Sequence, residues 1–405
     1  MSRGIIYNRN FIFLWIGHLV SHAGDSIYAI ALPWMMLEMT GKKWMTGLVA
    51  MSAYIPALIF GLYAGVVVDH YNRKSVMIVS DVFRALLVAV VPVSIILGFV
   101  TPLLLGIITF LLSTFSTFFY PARDSLIPNI TTSAELPSAN SAIAISGQMS
   151  HLLGPLFAAI GVAIFGLTHL FTVNSISFVF SIIMISMIVT PTQQLTLPKK
   201  NSKIRSLIEG IAYVKQEKGI ITLLLLTVVN NIFIMGPAII GVPVFVKEVL
   251  NENLVTLALL EGSMACGMIL GSILFLAAIK VFHPVQILLF GVVIDGLTFS
   301  LLYFVQNNLM AIIVLLIHGI GIPLITVSRT TLIQTNVTDN LRGRLFSMIH
   351  ISVMGTTAIS IGLTGIILEY FRADVLFLNI GICAASCVFI GLISKNLSTL
   401  KQKVN

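Results

Sequence analysis

The sequence predicts an all-α membrane protein with twelve transmembrane helices in two pseudo-symmetric six-helix bundles. Three observations predict this fold class. The 405-residue chain is 57% hydrophobic and only 9% charged, whereas a soluble chain carries about 25% charged residues. The chain also divides at its charged and Pro, Asn or Gly breaks into twelve apolar segments, and several positions in its two halves coincide at one constant offset.

The apolar segments are long and continuous, which favours helices over the short alternating strands of a membrane barrel. Each reaches the ~20 residues that a helix needs to cross a bilayer. We place these spans at residues 11–37, 44–68, 75–98, 102–122, 138–166, 169–190, 219–247, 254–280, 284–305, 309–334, 343–369 and 373–395. The first span is not interpreted as a signal peptide, because its apolar run is long and contains Asp25.

The basic residues predict the orientation of the spans. If the N-terminus is cytoplasmic and the spans alternate, only Lys42, Lys43, Lys247 and Arg372 fall outside, and Arg84 falls within a span. The other 18 of the 23 lysines and arginines fall on the cytoplasmic side or at its boundary. This asymmetry follows the positive-inside rule and predicts that both termini are cytoplasmic. The net charge of +8 is therefore explained by topology, and no nucleic-acid partner is predicted.

The longest polar connection, residues 191–218, separates the two predicted halves. It carries six basic residues, and its apolar residues recur at helical spacing. We expect an amphipathic helix on the inner leaflet, with its bases toward anionic lipid head groups. The predicted domains are an N-terminal six-helix bundle at 1–190, a cytoplasmic linker at 191–218 and a C-terminal six-helix bundle at 219–405. The chain is expected to be a monomer.

The two halves repeat weakly at an offset of 206 residues. The coinciding pairs include Gly61 with Gly267, Gly65 with Gly271, Lys74 with Lys280, Arg123 with Arg329, and Asp25 with Asn231. Glycines four residues apart share one helix face and favour close approach of a second helix. The repeat is imperfect, because Asp69 falls opposite Phe275. We therefore expect the glycines to serve packing that is common to both halves, and Asp69 to be an addition to the first half.

The stretch Gly65-x3-Asp69-x3-Arg73-Lys74 is similar to the loop signature between the second and third helices of the major facilitator superfamily. His70 and Asn72 stand where that signature usually has a base and a glycine. Further motifs resemble a subgroup that contains macrolide-efflux-like and siderophore-exporter-like proteins. They are Phe13-Leu14-Trp15, Ser21-x3-Asp25, Pro121-Ala122-Arg123, Glu209-Gly210, Glu261-x5-Gly267-x3-Gly271, and Thr331–Gln334 followed by Arg342-Gly343-Arg344. Gly154-Pro155 on the fifth span resembles a remnant of the antiporter signature of the superfamily.

The resemblance implies a secondary transporter of the bacterial plasma (inner) membrane that works by alternating access. It also implies proton-coupled efflux of lipophilic or amphipathic compounds, with multidrug or macrolide-like substrates. Two alternatives stay open. One is a dedicated transporter of a single molecule, such as a siderophore, lysolipid or metal ion. The other is a membrane sensor or scaffold that transports nothing.

The resemblance further implies a cytoplasmic latch between the halves. Its predicted members are Gly65, Asp69, Arg73, Lys74, Asp124, Arg342 and Gly343. In this hypothesis the Asp69 carboxylate accepts backbone N–H groups at the start of the eleventh span, where the helix dipole favours an anion. Arg73, with Asp124, orients Asp69. The spacing alone is equally compatible with a charged loop that only fixes topology.

The first span carries a polar stripe of His18, Ser21, His22 and Asp25. Their spacing of three and four residues puts them on one helix face. A carboxylate near the middle of a span is costly unless it is paired, which makes Asp25, His22 and His18 candidates for proton coupling or substrate binding. The alternative is a structural hydrogen bond between helices. Glu261 in the eighth span is the second candidate of this kind.

Polar residues of other spans are candidates for lining a central cavity. They are Ser21, Thr117, Gln148, His151, Asn230, Asn231 and His318. Each is equally compatible with ordinary helix packing. Asp295 is expected to make an inter-helix polar contact, and Asp81 with Arg84 a local ion pair.

The sequence contains no motif of a zinc protease, a serine hydrolase or a phosphate-binding loop. We therefore predict no enzymatic activity, no cofactor and no metal site. The three cysteines all fall inside spans without metal-type spacing, so we expect them to pack in the core. The driving energy is expected to come from an ion gradient, with protons and a small-molecule substrate as partners.

Overall fold

The computed structural model describes residues 5–132, 135–189, 217–337 and 339–394, together with Leu397 and Leu400. Within its helices, the side chains at positions 6, 62, 69, 144, 148, 151 and 339–344 lie outside the description. Every regular element in these ranges is a helix. The predicted amphipathic helix of the linker falls almost entirely outside the described residues.

The described residues of the first half contain seven α-helices that build six spans. They are α1 (Arg9–Thr40), α2 (Lys43–Met51), α3 (Ile55–His70), α4 (Arg73–Ile96), α5 (Pro102–Ile130), α6 (Leu136–Phe165) and α7 (Leu167–Ser186). Helices α2 and α3 together form the second span, interrupted at residues 52–54. A side-chain oxygen of Asn8, Asn72 or Thr101 caps the first turn of α1, α4 and α5, respectively.

In the second half, eight α-helices within residues 217–337 and 339–394 build six spans. They are α8 (Lys218–Gly236), α9 (Val242–Glu248), α10 (Leu254–Ala278), α11 (Pro284–Leu301), α12 (Asn308–Asn336), α13 (Asp339–Tyr370), α14 (Ala373–Ser386) and α15 (Val388–Ile393). A π-helical turn, Pro237–Gly241, joins α8 to α9 within the seventh span. Proline lacks the N–H that continues the α-helical ladder, which explains why the helix changes pitch at Pro237.

Among the described helices, eleven are long and apolar enough to cross a membrane by length and composition. They coincide with the second to twelfth predicted spans. Helix α1 has 32 residues and corresponds to the first predicted span. The polar stripe of α1 lowers its mean hydropathy below that of the other eleven helices.

The helices cluster into two compact units. The first contains the residues up to Gly41 and those from Ser52 to the linker, and the second contains Lys42–Met51 and the C-terminal half. The predicted halves differ from these units only around the linker and in the outer part of the second span, α2. Within the second unit, the backbone N–H of Lys43 donates to the Glu369 carboxylate at 3.0 Å, and its Nζ lies 2.8 Å from Glu248.

Glycines allow the closest helix approach in the second unit. A Cβ added to Gly267 would lie 2.0 Å from the carbonyl oxygen of Leu316, and one added to Gly271 would lie 2.4 Å from that of Ile320. The predicted close packing of these two glycines is therefore present between α10 and α12. It is wrong for Gly61, where an added Cβ would meet open space.

Two half-buried carboxylates hold loops at the span ends. The backbone N–H of Thr132 donates to Glu135 at 2.8 Å, and this bond lowers the pKa of Glu135. Asn308 donates to Glu252 at 2.7 Å and lowers the pKa of that carboxyl group. Both carboxylates thereby hold short connections between consecutive spans.

Candidate functional site

The polar stripe of α1 lies inside the first unit, where its members have different partners. The buried His18 accepts a hydrogen bond at Nε2 from Nη1 of Arg123, at 2.8 Å. A guanidinium can only donate, so Nε2 carries no proton in this arrangement and His18 is neutral. The Ser21 hydroxyl donates to the His18 carbonyl oxygen at 3.1 Å and is buried. The role of Ser21 in lining a cavity stays a prediction.

Asp25 lies at the middle of α1 and faces the third span. Its Oδ2 is 3.7 Å from Nη1 of Arg84, and its side chain is 25% exposed. Asp81, one turn before Arg84 on α4, accepts a hydrogen bond from Arg84 Nη2 and is fully buried. The expected Asp81–Arg84 ion pair is thus present, and Asp25 joins it as a second carboxylate.

The surroundings of Arg84 are aromatic. Its guanidinium carbon lies 4.3 Å from the ring centre of Phe119 and 4.4 Å from that of Phe178. Cation–π contacts of this kind stabilise a cation in a site that water does not reach. The Tyr120 phenol reaches toward the Asp25 carboxylate. The ring of His22 stands 5.3 Å from that of His18 and 6.5 Å from that of Tyr120.

We name this set of side chains the N-unit charged cluster: His18, His22 and Asp25 on α1, Asp81 and Arg84 on α4, and Tyr120 and Arg123 on α5. It brings together the three proton-coupling candidates of the first span with two residues that the sequence placed in a separate local pair. Sequence reasoning missed Tyr120 and the participation of Arg84. The available signal was that Arg84 lies near the middle of its predicted span, far from both boundaries.

The second unit contains a separate buried polar cluster. Asn230 donates to Oδ2 of Asp295 at 3.0 Å, and Nδ1 of His318 lies 3.4 Å from Oδ1 of Asp295. The Thr298 hydroxyl lies 3.0 Å from the same His318 nitrogen. The expected inter-helix contact of Asp295 is therefore present. His318 is only 1% exposed and Asn230 is also buried, and their role in lining a cavity stays a prediction.

The remaining candidates of the second unit are more accessible. The amide of Asn231 donates to Thr356 at 2.8 Å and to Thr357 at 2.9 Å, and it thereby links α8 to α13. Glu261 is half-buried on α10. In the described part of the chain, no ion pair or hydrogen bond to the Glu261 carboxylate is found. In the first unit, the half-buried Thr117 donates to the Ser113 carbonyl oxygen at 2.9 Å, within its own helix.

Several latch candidates make contacts within the first unit. Arg73 donates to the Asn129 side chain at 3.3 Å, and Lys74 donates to the carbonyl oxygens of Ser186 and Ile188 at 2.7 and 2.8 Å. Asp124 accepts from Arg123. The Asp69 side chain, Arg342, Gly343, and the side chains of Gln148 and His151 lie outside the described residues. Gly65 is half-buried in α3. The latch stays a prediction.

The N-unit charged cluster suits proton or cation exchange better than metal binding. Among the described residues, no group of three or more His, Cys, Asp or Glu side chains is placed to hold a metal ion. Two carboxylates share the Arg84 guanidinium, and one of them is partly accessible. A partly accessible carboxylate in a span can take up and release a proton.

Solved structures establish the fold class. The nucleoside transporter NupG, in a point-mutant form, matches with a TM-score of 0.82 at 11% identity, covering 95% of this chain and 99% of that chain. A bacterial homologue of the iron transporter ferroportin matches with a TM-score of 0.75 at 13% identity, covering 96% and 99%. The chain therefore shares the helical membrane fold of these two proteins.

Sequence relatives agree with this class. Macrolide efflux protein A of Streptococcus pyogenes is 24% identical over 379 residues, which cover 91% of this chain and 90% of the relative. The multidrug efflux pump Tap of Mycolicibacterium fortuitum is 25% identical over 396 residues, covering 95% and 94%. The sequence pattern of the transmembrane secretion effector family matches residues 5–403. The chain belongs to this family of the major facilitator superfamily and is a multi-pass membrane transporter.

Proposed function

We propose that this protein exports lipophilic or amphipathic small molecules in exchange for protons, by alternating access. Its place is the bacterial plasma membrane, with both termini in the cytoplasm, as the distribution of basic residues supports. The substrate class is supported by the names of the relatives, a macrolide efflux protein and a multidrug efflux pump, which match more than nine-tenths of the chain.

The observation that carries the proposal is the position of Asp25 in the N-unit charged cluster. A carboxylate at mid-span, 25% exposed and within ion-pair distance of a buried arginine, is poised between a charged and a protonated form. Its conversion between these forms couples proton movement to substrate movement. Since no phosphate-binding loop is present in the sequence, the proton gradient is the natural energy source.

The experiment is a transport assay in inside-out membrane vesicles that contain the wild-type protein. Ethidium, tetraphenylphosphonium and erythromycin serve as lipophilic probes. We expect an imposed pH gradient, acid inside, to drive accumulation of at least one probe, and a protonophore to abolish it. Vesicles that lack the protein are the control. Probe accumulation of equal size with and without the pH gradient would contradict proton coupling. If no probe accumulates, a transporter dedicated to one other molecule is favoured.

A further inference from the structure

We propose that Asp81 and Arg84 are positioning residues that set the pH at which Asp25 exchanges its proton. This inference rests on the proposed function, because it concerns the same carboxylate. It assigns a role to a pair of residues on the third span that local spacing alone would explain as a simple helix ion pair. Three properties of the cluster support this role: the burial of Arg84, the unequal access to the two carboxylates, and the balance of charge.

Arg84 is a fixed charge. Its side chain is only 1% exposed, and its guanidinium carbon contacts the buried rings of Phe119 and Phe178. A guanidinium stays protonated in proteins. Because the packed interior around it leaves little free volume, a turn toward a new partner is costly. Any change of charge in the cluster must therefore occur around a stationary cation.

The two carboxylates reach this cation differently. Asp81 is fully buried and accepts a direct hydrogen bond from Arg84 Nη2. Asp25 stands 3.7 Å from Nη1, beyond a hydrogen bond, and is 25% exposed. Asp81 is therefore the permanent counter-ion, and Asp25 is the carboxylate that protons can reach.

The charge balance explains why Asp25 is suited to exchange a proton. One guanidinium and two ionised carboxylates leave one uncompensated negative charge, which is costly in a medium of low dielectric constant. A proton on Asp25 removes this uncompensated charge. Without Asp81, Arg84 would instead form a neutral pair with ionised Asp25, and no proton would be needed. Asp81 thus keeps Asp25 available for protonation.

The other described groups around Asp25 are neutral or already paired, apart from the titratable His22. Tyr120 on α5 is a neutral phenol, and Arg123 on the same helix is paired with Asp124. His18 on α1 is neutral as an acceptor from Arg123, and His22 is its neighbour on the stripe. Helix α7 packs against α1 near Asp25 through Asn174 and Ser177, which carry no charge. The side chain of His151 on α6 lies outside the described residues.

The test is an infrared titration of the purified protein, which needs no substrate. The carbonyl stretch of protonated Asp25 is identified as the band that Asp25→Asn removes, and its midpoint is followed with pH. In Asp81→Asn, Asp25 becomes the one carboxylate of the cluster beside Arg84, so the midpoint of the Asp25 titration should fall by about one pH unit or more. Arg84→Gln leaves two acids and no cation, so the midpoint should rise by about as much. Shifts in the same direction, or no shift, would overturn the proposal.

A second variant keeps the test decisive if a single substitution prevents folding. The double variant Asp81→Asn with Arg84→Gln removes both charges, and its midpoint should stay within about one pH unit of the wild type. A larger shift would contradict the charge balance. Arg372→Gln and Asp374→Asn are matched controls, because they break an Arg–Asp pair in the second unit with Nη2 and Oδ2 2.9 Å apart. Titration as predicted in a protein that transports no probe would refute the proposed function and leave this inference standing.

Discussion

Asp25 and His18 show how one helix face divides into residues with different chemistry. The spacing in the sequence predicts correctly that both lie on the same stripe of α1. It does not predict that His18 accepts a hydrogen bond from Arg123, or that Asp25 faces Arg84. Those partners belong to other spans, and which span lies opposite the stripe depends on the packing of the whole unit. For the same reason, the sequence does not predict that the side chains of Ser21, Asn230 and His318 are buried.

Glu261 is the residue whose role calls most directly for a test. It is half-buried on α10, and the described residues offer it no ion-pair partner. We predict that it binds the cationic group of substrates. Glu261→Gln should then weaken binding of ethidium about tenfold, the equivalent of ~1.4 kcal/mol, and leave binding of an uncharged probe unchanged.

The measurement is fluorescence titration of ethidium with purified protein, alongside a neutral lipophilic dye. Glu252→Gln is the control, since Glu252 is a half-buried carboxylate that Asn308 and Thr256 already hold by hydrogen bonds. Equal loss of affinity for the cationic and the neutral probe would show that Glu261 acts through packing rather than charge.

At the scale of elements, composition and helical periodicity predict where the spans lie, because the bilayer imposes the length and polarity of each helix. The internal repeat predicts packing less well. It pairs Gly61 with Gly267, but only Gly267 meets a neighbouring helix closely, through Leu316 on α12. A glycine in the sequence shows that close approach is allowed, and the neighbouring helix decides whether it happens.

This difference between the repeat positions gives a paired prediction. Gly267→Val should destabilise the protein by ~1–3 kcal/mol, because the added side chain overlaps the Leu316 carbonyl group and forces α10 and α12 apart. Gly61→Val adds the same side chain where an added Cβ meets open space. Thermal unfolding of both variants in the same detergent checks this. An equal decrease in melting temperature would show that α3 also depends on a small residue at Gly61.

At the scale of the whole molecule, the sequence predicts the fold class and the family resemblance, and both are confirmed. It does not predict that the outer part of the second span, Lys42–Met51, clusters with the C-terminal half. Hydropathy treats residues 44–68 as one continuous span, whereas contacts of Lys43 with Glu369 and Glu248 bind its outer end to the second unit. Hydrophobic periodicity does not predict such contacts between residues that are far apart in the chain.

The predicted latch also belongs to this scale, because it concerns the movement of one half against the other. Asp69→Asn removes the negative charge that should bind backbone N–H groups at the start of the eleventh span. We expect turnover to fall several-fold, about 1 kcal/mol in the barrier, while probe binding persists. Spin labels on the two halves should report a shift toward inward-open distances. Unchanged turnover together with unchanged distances would show that the charged turn only fixes topology.

The central claim, proton exchange at Asp25, is tested most directly by counting protons in proteoliposomes. Ethidium or another transported probe is added to wild-type protein and to Asp25→Asn, and a trapped pH indicator records proton movement. The wild type should move protons in proportion to the probe, whereas Asp25→Asn should bind the probe and move no protons. Equal proton movement by both proteins would contradict the role of Asp25, and none by the wild type during transport would contradict proton coupling itself.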